Sequence, residues 1–290
     1  MSLLSQVYVG KHAAPRRCMV HGVQGVGKST FGATARRPIF IQTEDGLGEI
    51  ECAKFPLSRS FNDVMQALTE LRGQTHEFET VVVDSLDWLE RLIWQEVCTA
   101  ENVSNIEKIG FQKGYTYALN YWRKFLDALD ALRTERSSGG GMAVILIAHT
   151  KIEKFQTPED SAFDRFTPRL HKLAASVVME WCDEVFFATY STTTDPRKVK
   201  NVESPERVMR TCEGPTHVAK NRLNMPYELP LEWAAYDYFA DQAHPRPRTP
   251  NGEAHSDAAH VGAAPAPADQ TEIPDGTNGV SPEVDPQSSN

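Results

Sequence analysis

Residues 22–30 read Gly22-Val23-Gln24-Gly25-Val26-Gly27-Lys28-Ser29-Thr30 and fit the pattern G-x-x-x-x-G-K-[ST] without deviation. Glycines at these positions let successive backbone N–H groups curl around a phosphate, and a following helix adds the positive end of its dipole. In this pattern the lysine reaches the β- and γ-phosphates, and the serine hydroxyl is a ligand of Mg²⁺. We therefore expect residues 22–30 to bind a nucleoside triphosphate, namely ATP with Mg²⁺.

The elements around this run alternate between strand and helix. A short apolar strand over 17–21 precedes the run and a helix over 30–35 follows it, which argues against a fortuitous glycine-rich turn. Further strands are predicted over 38–41, 80–84, 142–148, 184–189, 207–212 and 217–220, and further helices over 61–72, 86–97, 115–132 and 170–181. Continuous apolar strands separated by helices predict an α/β fold with a mostly parallel sheet, followed by antiparallel strands towards the C-terminus.

The composition changes near Asp241, which divides the chain into two predicted parts. Residues 241–290 are rich in Pro, Gly, Ala and acids and contain almost no large apolar side chains. Such a segment buries too little surface to offset its ordering entropy, so we expect an ATPase domain over 1–240 and a disordered acidic tail over 241–290. The tail could recruit a protein partner or act only as a solubilising arm.

The cysteine pattern and the hydropathy argue against a secreted or membrane protein, and the charge does not argue against a nucleic-acid partner. The formal net charge is −9, and the tail holds eight acids against two arginines, so the first 240 residues carry a net charge of only −3. Overall acidity therefore does not argue against a nucleic-acid partner. The five cysteines show no CxxC pair, and neither a signal peptide nor an 18-residue apolar window is present. We expect a soluble cytoplasmic protein without a membrane partner, located in the bacterial host cell if a phage encodes it.

An acid at the end of a neighbouring strand is the second requirement of a phosphate-binding loop. The run Val81-Val82-Val83-Asp84-Ser85 supplies Asp84 at the carboxyl end of a buried strand, where ligands bind in open α/β sheets. We expect Asp84 and Ser29 to hold the Mg²⁺ shell. The alternative is that Asp84 only caps the helix that follows.

Three strand ends resemble those of the RecA recombinase core. The run Ile39-Phe40-Ile41-Gln42-Thr43-Glu44 resembles the strand that ends in the family's catalytic glutamate, and Val82-Val83-Asp84-Ser85 resembles its Walker B strand. The run from Val144 to Thr150 resembles the strand that ends in a polar γ-phosphate sensor, a glutamine in RecA. The resemblance implies a RecA-like P-loop NTPase core with Glu44 as the general base and His149 as the sensor.

A fourth element, Ala219-Lys220-Asn221-Arg222, resembles the Lys-x-Arg element of the replicative helicase branch of this superfamily. In that branch, the two cations reach the γ-phosphate of a neighbouring subunit, so the resemblance implies catalytic roles for Lys220 and Arg222 within a homo-oligomer. A cation placed where phosphoryl-transfer charge develops accelerates that transfer. A surface basic pair on a hairpin is the alternative.

With a single core over roughly 15–235 and no added helicase domain, the chain most resembles the small RecA-like ATPases of phages that act in single-strand annealing or recombination. This resemblance implies Mg-dependent, DNA-stimulated ATP hydrolysis and a single-stranded DNA partner. Two other classes stay open. The first is a nucleotide-gated interaction protein such as a helicase loader, against which Glu44 argues. The second is a P-loop small-molecule kinase, for which the chain lacks an obvious arginine-rich lid.

Two segments are candidates for contact with single-stranded DNA, because they combine cations with aromatic rings. The first segment contributes Lys108, Phe111, Lys113 and Tyr115; the second, which we expect to be a mobile loop over 151–169, contributes Lys151, Lys154, Arg165 and Arg169. The alternatives are that the aromatic rings of the first segment enter the core, and that the second is an ordinary exposed loop.

Overall fold

A computed structural model describes residues 3–7, 9, 14–134, 141–156, 162–191 and 206–243. Within these residues nine strands belong to one sheet: β1 Arg17–Gly22, β2 Pro38–Gln42, β3 Ala53–Lys54, β4 Thr80–Asp84, β5 Ala143–Phe155, β6 Phe163–Pro168, β7 Glu184–Tyr190, β8 Arg207–Arg210 and β9 Glu228–Pro230. The helices of the same residues are α1 Lys28–Ala33, α2 Phe61–Gly73, α3 Leu86–Ala100, α4 Lys113–Thr134, α5 Lys172–Trp181 and α6 Trp233–Ala243, with 3-10 turns at Leu3–Gln6 and Ile106–Ile109.

The order of the strands is β3-β2-β4-β5-β1-β7-β8-β9, and β6 pairs with β5 as a hairpin. The six neighbouring strands β3, β2, β4, β5, β1 and β7 are parallel to one another. Strand β8 is antiparallel to β7, and β9 is antiparallel to β8. In the centre of the sheet, β1 lies between β5 and β7, so the loop that follows Gly22 leaves the carboxyl edge between two parallel neighbours. This architecture confirms the predicted fold class, a mostly parallel α/β sheet with antiparallel strands near the C-terminus.

Apolar side chains alternate between the two faces of the sheet and form two cores. Met19, Val83 and Leu146 lie in the larger core with α2, α3, α4 and α5, whereas Val20 and Val82 lie in the other core with α1 and α6. Strands buried on both faces require this continuous run of apolar residues.

A close approach of two strands fixes Gly22 as glycine. A Cβ atom built on Gly22 would lie 2.3 Å from the backbone oxygen of Ala188, its partner on β7. Any side chain at this position would push β1 and β7 apart, so glycine is required at the residue where the phosphate-binding loop begins.

Two predicted elements differ from the structure. Residues 217–220, predicted as a strand, make only isolated bridges through His217 and Lys220. The predicted mobile loop over 151–169 is instead an antiparallel hairpin, in which residues 150–155 of β5 pair with residues 163–168 of β6. The residues 157–161 that connect these strands lie outside the described residues.

The C-terminal part of the domain prediction falls mostly outside the described residues. Helix α6 extends through Ala243, three residues past the predicted boundary at 240, and residues 244–290 of the predicted tail lie beyond the described ranges. In the described part of the chain, no helix is long and apolar enough to cross a membrane.

Candidate functional site

The loop over 22–30 joins β1 to α1 and has the backbone conformation that a phosphate cradle requires. Gly25 and Gly27 have φ angles of 76° and 105°, a backbone region that residues with a Cβ rarely adopt. Gly27 is the N-cap of α1, so the unsatisfied N–H groups of the first helical turn lie in the loop. The Lys28 ammonium donates to the carbonyl oxygens of Gly22 and Val23 at 3.1 and 2.9 Å, which folds its side chain back along the loop.

The predicted pair of metal ligands is in direct contact. The Ser29 hydroxyl donates to Oδ2 of Asp84 at 2.6 Å, and Asp84 ends β4, two strands from β1. Burial raises the pKa of Asp84, and the Ser29 hydrogen bond and the Lys28 charge oppose that shift. Burial likewise lowers the pKa of Lys28, with Asp84 and Glu44 opposing. A buried carboxylate beside a hydroxyl offers the hard oxygen ligands that Mg²⁺ prefers.

Thr43 ties the end of β2 to the end of β4 and thereby positions the residue that follows it. The backbone N–H of Thr43 donates to the Asp84 carbonyl at 2.8 Å, and the Thr43 hydroxyl donates to the Ser85 carbonyl at 2.7 Å. The same hydroxyl accepts the Ser85 N–H at 2.9 Å. Glu44 is therefore held beside the Asp84 strand end, and its carboxylate lies 3.9 Å from Nε2 of His149.

Asp87, in the first turn of α3, is the centre of a polar cluster on the other side of His149. Its Oδ1 accepts the backbone N–H of His149 at 3.1 Å, and the carboxylate also accepts Nδ1 of the His149 ring at 3.1 Å. Since a carboxylate can only accept, Nδ1 carries a proton, and Nε2 faces Glu44. The Arg169 guanidinium donates to Oδ2 of Asp87 at 3.2 Å through Nε.

The two carboxylates at either end of this arrangement have opposite pKa shifts. Burial raises the pKa of Glu44, the charges of Asp84 and Asp87 add to that increase, and His149 opposes it. Burial alone would raise the pKa of Asp87 too, but the hydrogen bonds from His149 and Arg169 lower it well below its usual range. Asp87 is therefore a fixed negative charge, whereas Glu44 is the carboxylate with the greater proton affinity.

The residues of the first candidate DNA segment differ in their exposure to solvent. Phe111 is 98% exposed, and Lys108 and Lys113 on either side of it are also exposed. Tyr115 has partners within the chain, because its ring stacks on His171 at 4.0 Å between centroids and its hydroxyl donates to Glu107. Its face is therefore occupied within the chain, where a base would have to stack.

Three of the four cations in the second candidate DNA segment have partners within the chain. Arg165 is buried, pairs with Glu213 and packs over the ring of Phe155, so its charge is already compensated. Arg169 binds Asp87, as described above. Lys151 donates to the Leu170 carbonyl at 2.7 Å and pairs with Glu153 at 2.7 Å. Lys154, on the outer part of the hairpin, is exposed.

Lys220 and Arg222 lie at the opposite edge of the sheet from the phosphate-binding loop. The Lys220 ammonium donates to three carbonyl oxygens at the C-terminal end of α5, those of Met179, Glu180 and Cys182. Arg222 pairs with Asp183 at 3.1 Å, and Asp183 also binds Arg17, the first residue of β1. Within one chain, these two cations do not reach the loop at the end of β1.

Sequence reasoning missed Asp87 and Thr43. An acid in the first turn of a helix is favoured by the helix dipole alone, so Asp87 gives no local signal of a further role. Its partners His149 and Arg169 are 62 and 82 residues away in sequence, and only the fold brings them together. Thr43 could have been noticed as the polar residue between a buried strand and Glu44.

Comparisons with known proteins identify the family of the chain. The chain is 23% identical over 211 residues to the SPbeta prophage-derived uncharacterized protein YorG of Bacillus subtilis (strain 168), and the match covers 71% of this chain. The match spans only 58% of the length of that relative. The flagellar accessory protein FlaH from Methanocaldococcus jannaschii aligns with a TM-score of 0.35 and 8% identity, over 68% of this chain and 78% of that one. The family model described as an AAA domain (AAA_24) matches residues 14–223, and the chain therefore belongs to this family of P-loop ATPases.

Proposed function

We propose that the chain hydrolyses ATP with Mg²⁺ at the carboxyl edge of β1, β2, β4 and β5, and that it acts on single-stranded DNA in phage-type recombination or annealing. The observation that carries the hydrolytic part is the position of Glu44. Its carboxylate shares one site with Lys28, Asp84 and His149, and its pKa is raised by burial. A carboxylate with increased proton affinity beside a phosphate-binding loop is suited to accept a proton from water.

The loop and its lysine bind the triphosphate in this proposal. The N–H groups of residues 22–30 bind phosphate oxygens, and Lys28 exchanges its carbonyl partners for the β- and γ-phosphates. Ser29 and Asp84 would hold Mg²⁺, with substrate phosphates and water completing its coordination. When bound, the ion neutralises charge on the phosphates.

Glu44 orients the attacking water and accepts its proton, and the cluster around Asp87 keeps His149 in place. Because Asp87 fixes the tautomer and ring of His149, Nε2 points towards Glu44. Asp87, Arg169 and Thr43 act through other groups and are therefore positioning residues. The Arg169 contact also connects the β5–β6 hairpin to the site.

The proposal of single-stranded DNA as the partner rests on different observations. The relative in Bacillus subtilis is an SPbeta prophage-derived protein. Phe111 stands fully exposed between Lys108 and Lys113, and its φ of 46° is rare for an aromatic residue. Backbone strain of this kind is concentrated at functional positions. Homo-oligomer formation through Lys220 and Arg222, a cytoplasmic location and a protein partner for the tail over 241–290 belong to the same proposal.

The decisive experiment measures ATP turnover by the full chain with and without a single-stranded oligonucleotide. We expect Lys28→Ala to abolish nucleotide binding or hydrolysis with the fold intact, and Glu44→Gln to reduce turnover by roughly 10²–10⁴-fold while ATP still binds. Undiminished turnover in Lys28→Ala would refute the loop assignment. If DNA did not stimulate turnover and was not retained at low salt, the proposed action on DNA would be wrong, while the proposed ATP hydrolysis would stand.

A nucleotide-gated interaction protein, such as a helicase loader, is the second candidate. The cluster of Arg169, Asp87 and His149 favours this candidate, because it connects the β5–β6 hairpin to the nucleotide site. If Glu44→Gln left the hydrolysis rate unchanged, this candidate would replace the first. A small-molecule kinase has less support. Such an enzyme would need arginines in a lid over the phosphates, but Arg165 and Arg169, the arginines of the segment after His149, are paired with Glu213 and Asp87.

A further inference from the structure

An arginine outside every motif described so far packs against the phosphate-binding loop. A Cβ built on Gly27 would lie 3.3 Å from a terminal guanidinium nitrogen of Arg207 and 3.7 Å from a methyl carbon of Leu231. Arg207 is the first residue of β8, and its carbonyl oxygen accepts the N–H of Leu231 at 3.0 Å. The antiparallel strands at the C-terminal end of the domain therefore bring a cation to the loop within the same chain.

The guanidinium of Arg207 has no carboxylate partner among the residues that the structure describes. Arg210, three positions further along β8, pairs with Glu228 and lies near the ring of Tyr227. Arg165, Arg169 and Arg222 are likewise paired with acids. A guanidinium held beside a phosphate-binding loop without such a partner is able to bind a ligand.

The order of the strands determines which end of a nucleotide comes near Arg207. Glu44 follows β2, Asp84 ends β4, and His149 lies within β5 opposite Gly22. These three strands lie on one side of β1, so the γ-phosphate must face that side. The remainder of the nucleotide then leaves the loop towards the other side of β1, where β7 and β8 lie. The base is therefore directed towards β8 and away from the hydrolytic residues.

The surface on that side suits a base better than it suits another phosphate. Arg207 is paired directly with Tyr190 of β7, and directly paired residues in an antiparallel ladder project from the same face of the sheet. Tyr190 and Leu231 both belong to the core on the α1 side of the sheet. A planar guanidinium on the same face as an aromatic side chain, and close to an aliphatic one, is suited to stack on a flat ring.

We propose that Arg207, with Tyr190 and Leu231, forms the subsite for the base of ATP. The guanidinium stacks on the base, and the phosphates are left to the loop amides and Lys28. This inference rests on the ATP site proposed above and adds the part of that site that recognises the nucleoside. The same geometry explains why a glycine stands at position 27, since a side chain there would crowd Arg207 and Leu231.

The test measures binding of ADP and of inorganic tripolyphosphate to the full chain by isothermal titration calorimetry with Mg²⁺ present. Tripolyphosphate fills the loop but has no base. We expect Arg207→Ala to weaken ADP binding by about 5- to 30-fold, as for a desolvated cation–π contact, and to change tripolyphosphate binding by less than about twofold. Arg207→Lys keeps the charge but loses the plane, so we expect ADP binding to weaken in this variant too.

Arg210→Ala is the matched control, because it removes an arginine from the same strand and should leave both affinities unchanged. Thermal unfolding without nucleotide shows whether each variant is folded. An equal loss for ADP and tripolyphosphate, or no loss for either, would overturn the assignment of Arg207 to the base. If the unmodified chain bound neither ligand, the ATP site itself would be refuted, and that result differs from a selective failure at Arg207.

Discussion

Asp87 connects more parts of the candidate site than any acid that the motifs identify. Its carboxylate binds the backbone and ring of His149 and the guanidinium of Arg169. The resulting low pKa keeps the carboxylate charged, so its partners keep their orientation across the pH range of an assay. Removing that charge should therefore affect catalysis more than nucleotide binding.

We predict that Asp87→Asn lowers kcat for ATP by roughly 10- to 100-fold, as for other groups that orient a functional side chain. An amide cannot accept with both terminal atoms, so His149 and Arg169 cannot both keep their present bonds. The nucleotide Kd should change little, which steady-state kinetics and calorimetry would measure together.

Asp63→Asn is the matched control for Asp87→Asn. Asp63 is also an acid in the first turn of a helix, and the backbone N–H groups of Arg59 and Ser60 lower its pKa. Asp63→Asn should cost stability without loss of kcat. Equal kcat values for the two variants would show that Asp87 has no role in positioning His149.

At this same scale, the sequence predicts residues whose role depends on a local pattern. The loop over 22–30, Asp84 and Glu44 follow from short motifs at strand ends, and the structure brings Lys28, Asp84 and Glu44 together. The sequence does not show that Arg165 and Tyr115 have partners within the chain, because those partners, Glu213 and His171, are distant in sequence. No local pattern reports that a charged or aromatic side chain is already paired.

Among secondary-structure elements, the sequence predicted buried strands well and exposed ones poorly. Strand β4 was predicted with its observed bounds, because a continuous apolar run marks a strand buried on both faces. Strand β5 was predicted to end at Ala148 but extends to Phe155. Its outer half is exposed, so no burial pattern distinguishes it from a loop. The outer half of β5 is a strand because it pairs with β6, a contact that no local pattern predicts.

A buried acid joins helix α3 to the start of α5 and leads to a stability prediction. Both carboxylate oxygens of Glu90 accept the N–H of His171 at 3.0 Å. Burial raises the pKa of Glu90 from 4.5 to about 7, and the His171 hydrogen bond opposes that shift. The folded chain therefore holds this proton more tightly than the unfolded chain does. The contribution of Glu90 to stability must fall as pH rises from about 4.5 to about 7.

We predict that Glu90→Gln raises the free energy of unfolding at pH 8 by about 1–3 kcal/mol, because glutamine stays neutral and keeps one acceptor for the His171 N–H. The gain should disappear near pH 4.5, where the folded forms of both proteins are neutral at this position. Urea unfolding at several pH values measures it. Glu180→Gln, which changes an exposed acid on α5, should show no such trend. A gain independent of pH would contradict the assignment to Glu90 ionisation.

The turn between the Ile106–Ile109 helix and α4 provides the prediction for DNA binding. We expect Phe111→Ala to weaken binding of a single-stranded oligonucleotide by roughly 5- to 100-fold, because one stacked base contributes about 1–3 kcal/mol. Phe111 carries no charge, so the dependence of affinity on salt should keep its slope. Fluorescence anisotropy at several salt concentrations measures both quantities.

Removing Lys108 and Lys113 together should have the complementary effect. Each lysine that neutralises a phosphate of a single strand accounts for about 0.7 of the slope of log K against log salt, so the double variant should show a shallower slope. Tyr238→Ala is the control, since Tyr238 is an exposed aromatic on α6 outside this turn. If Tyr238→Ala weakened binding as much as Phe111→Ala does, the turn would not be the binding element.

At the scale of the whole sheet, the candidate nucleotide site and the pair of Arg222 and Asp183 lie at opposite ends of β1. The phosphate-binding loop, Asp84 and Glu44 lie at the carboxyl ends of the parallel strands, whereas Arg222 and Asp183 lie beside the first residue of β1. Strand β1 is six residues long, which separates the two edges by roughly 17 Å at about 3.3 Å per step. A hydrolytic role for Arg222 therefore requires a second copy of the chain.

We predict that Arg222→Ala lowers ATP turnover by about 10³-fold or more in the assembled protein, as for an arginine finger supplied by a neighbour. The variant should match the unmodified chain at concentrations where mass photometry shows only monomer, because Arg222 cannot reach its own loop. Arg37→Ala is the matched control, since Arg37 is an exposed arginine just before β2 that also pairs with one acid, Glu79. An equal loss in the dilute monomer would rule out action between subunits and leave Arg222 as a partner of Asp183 alone.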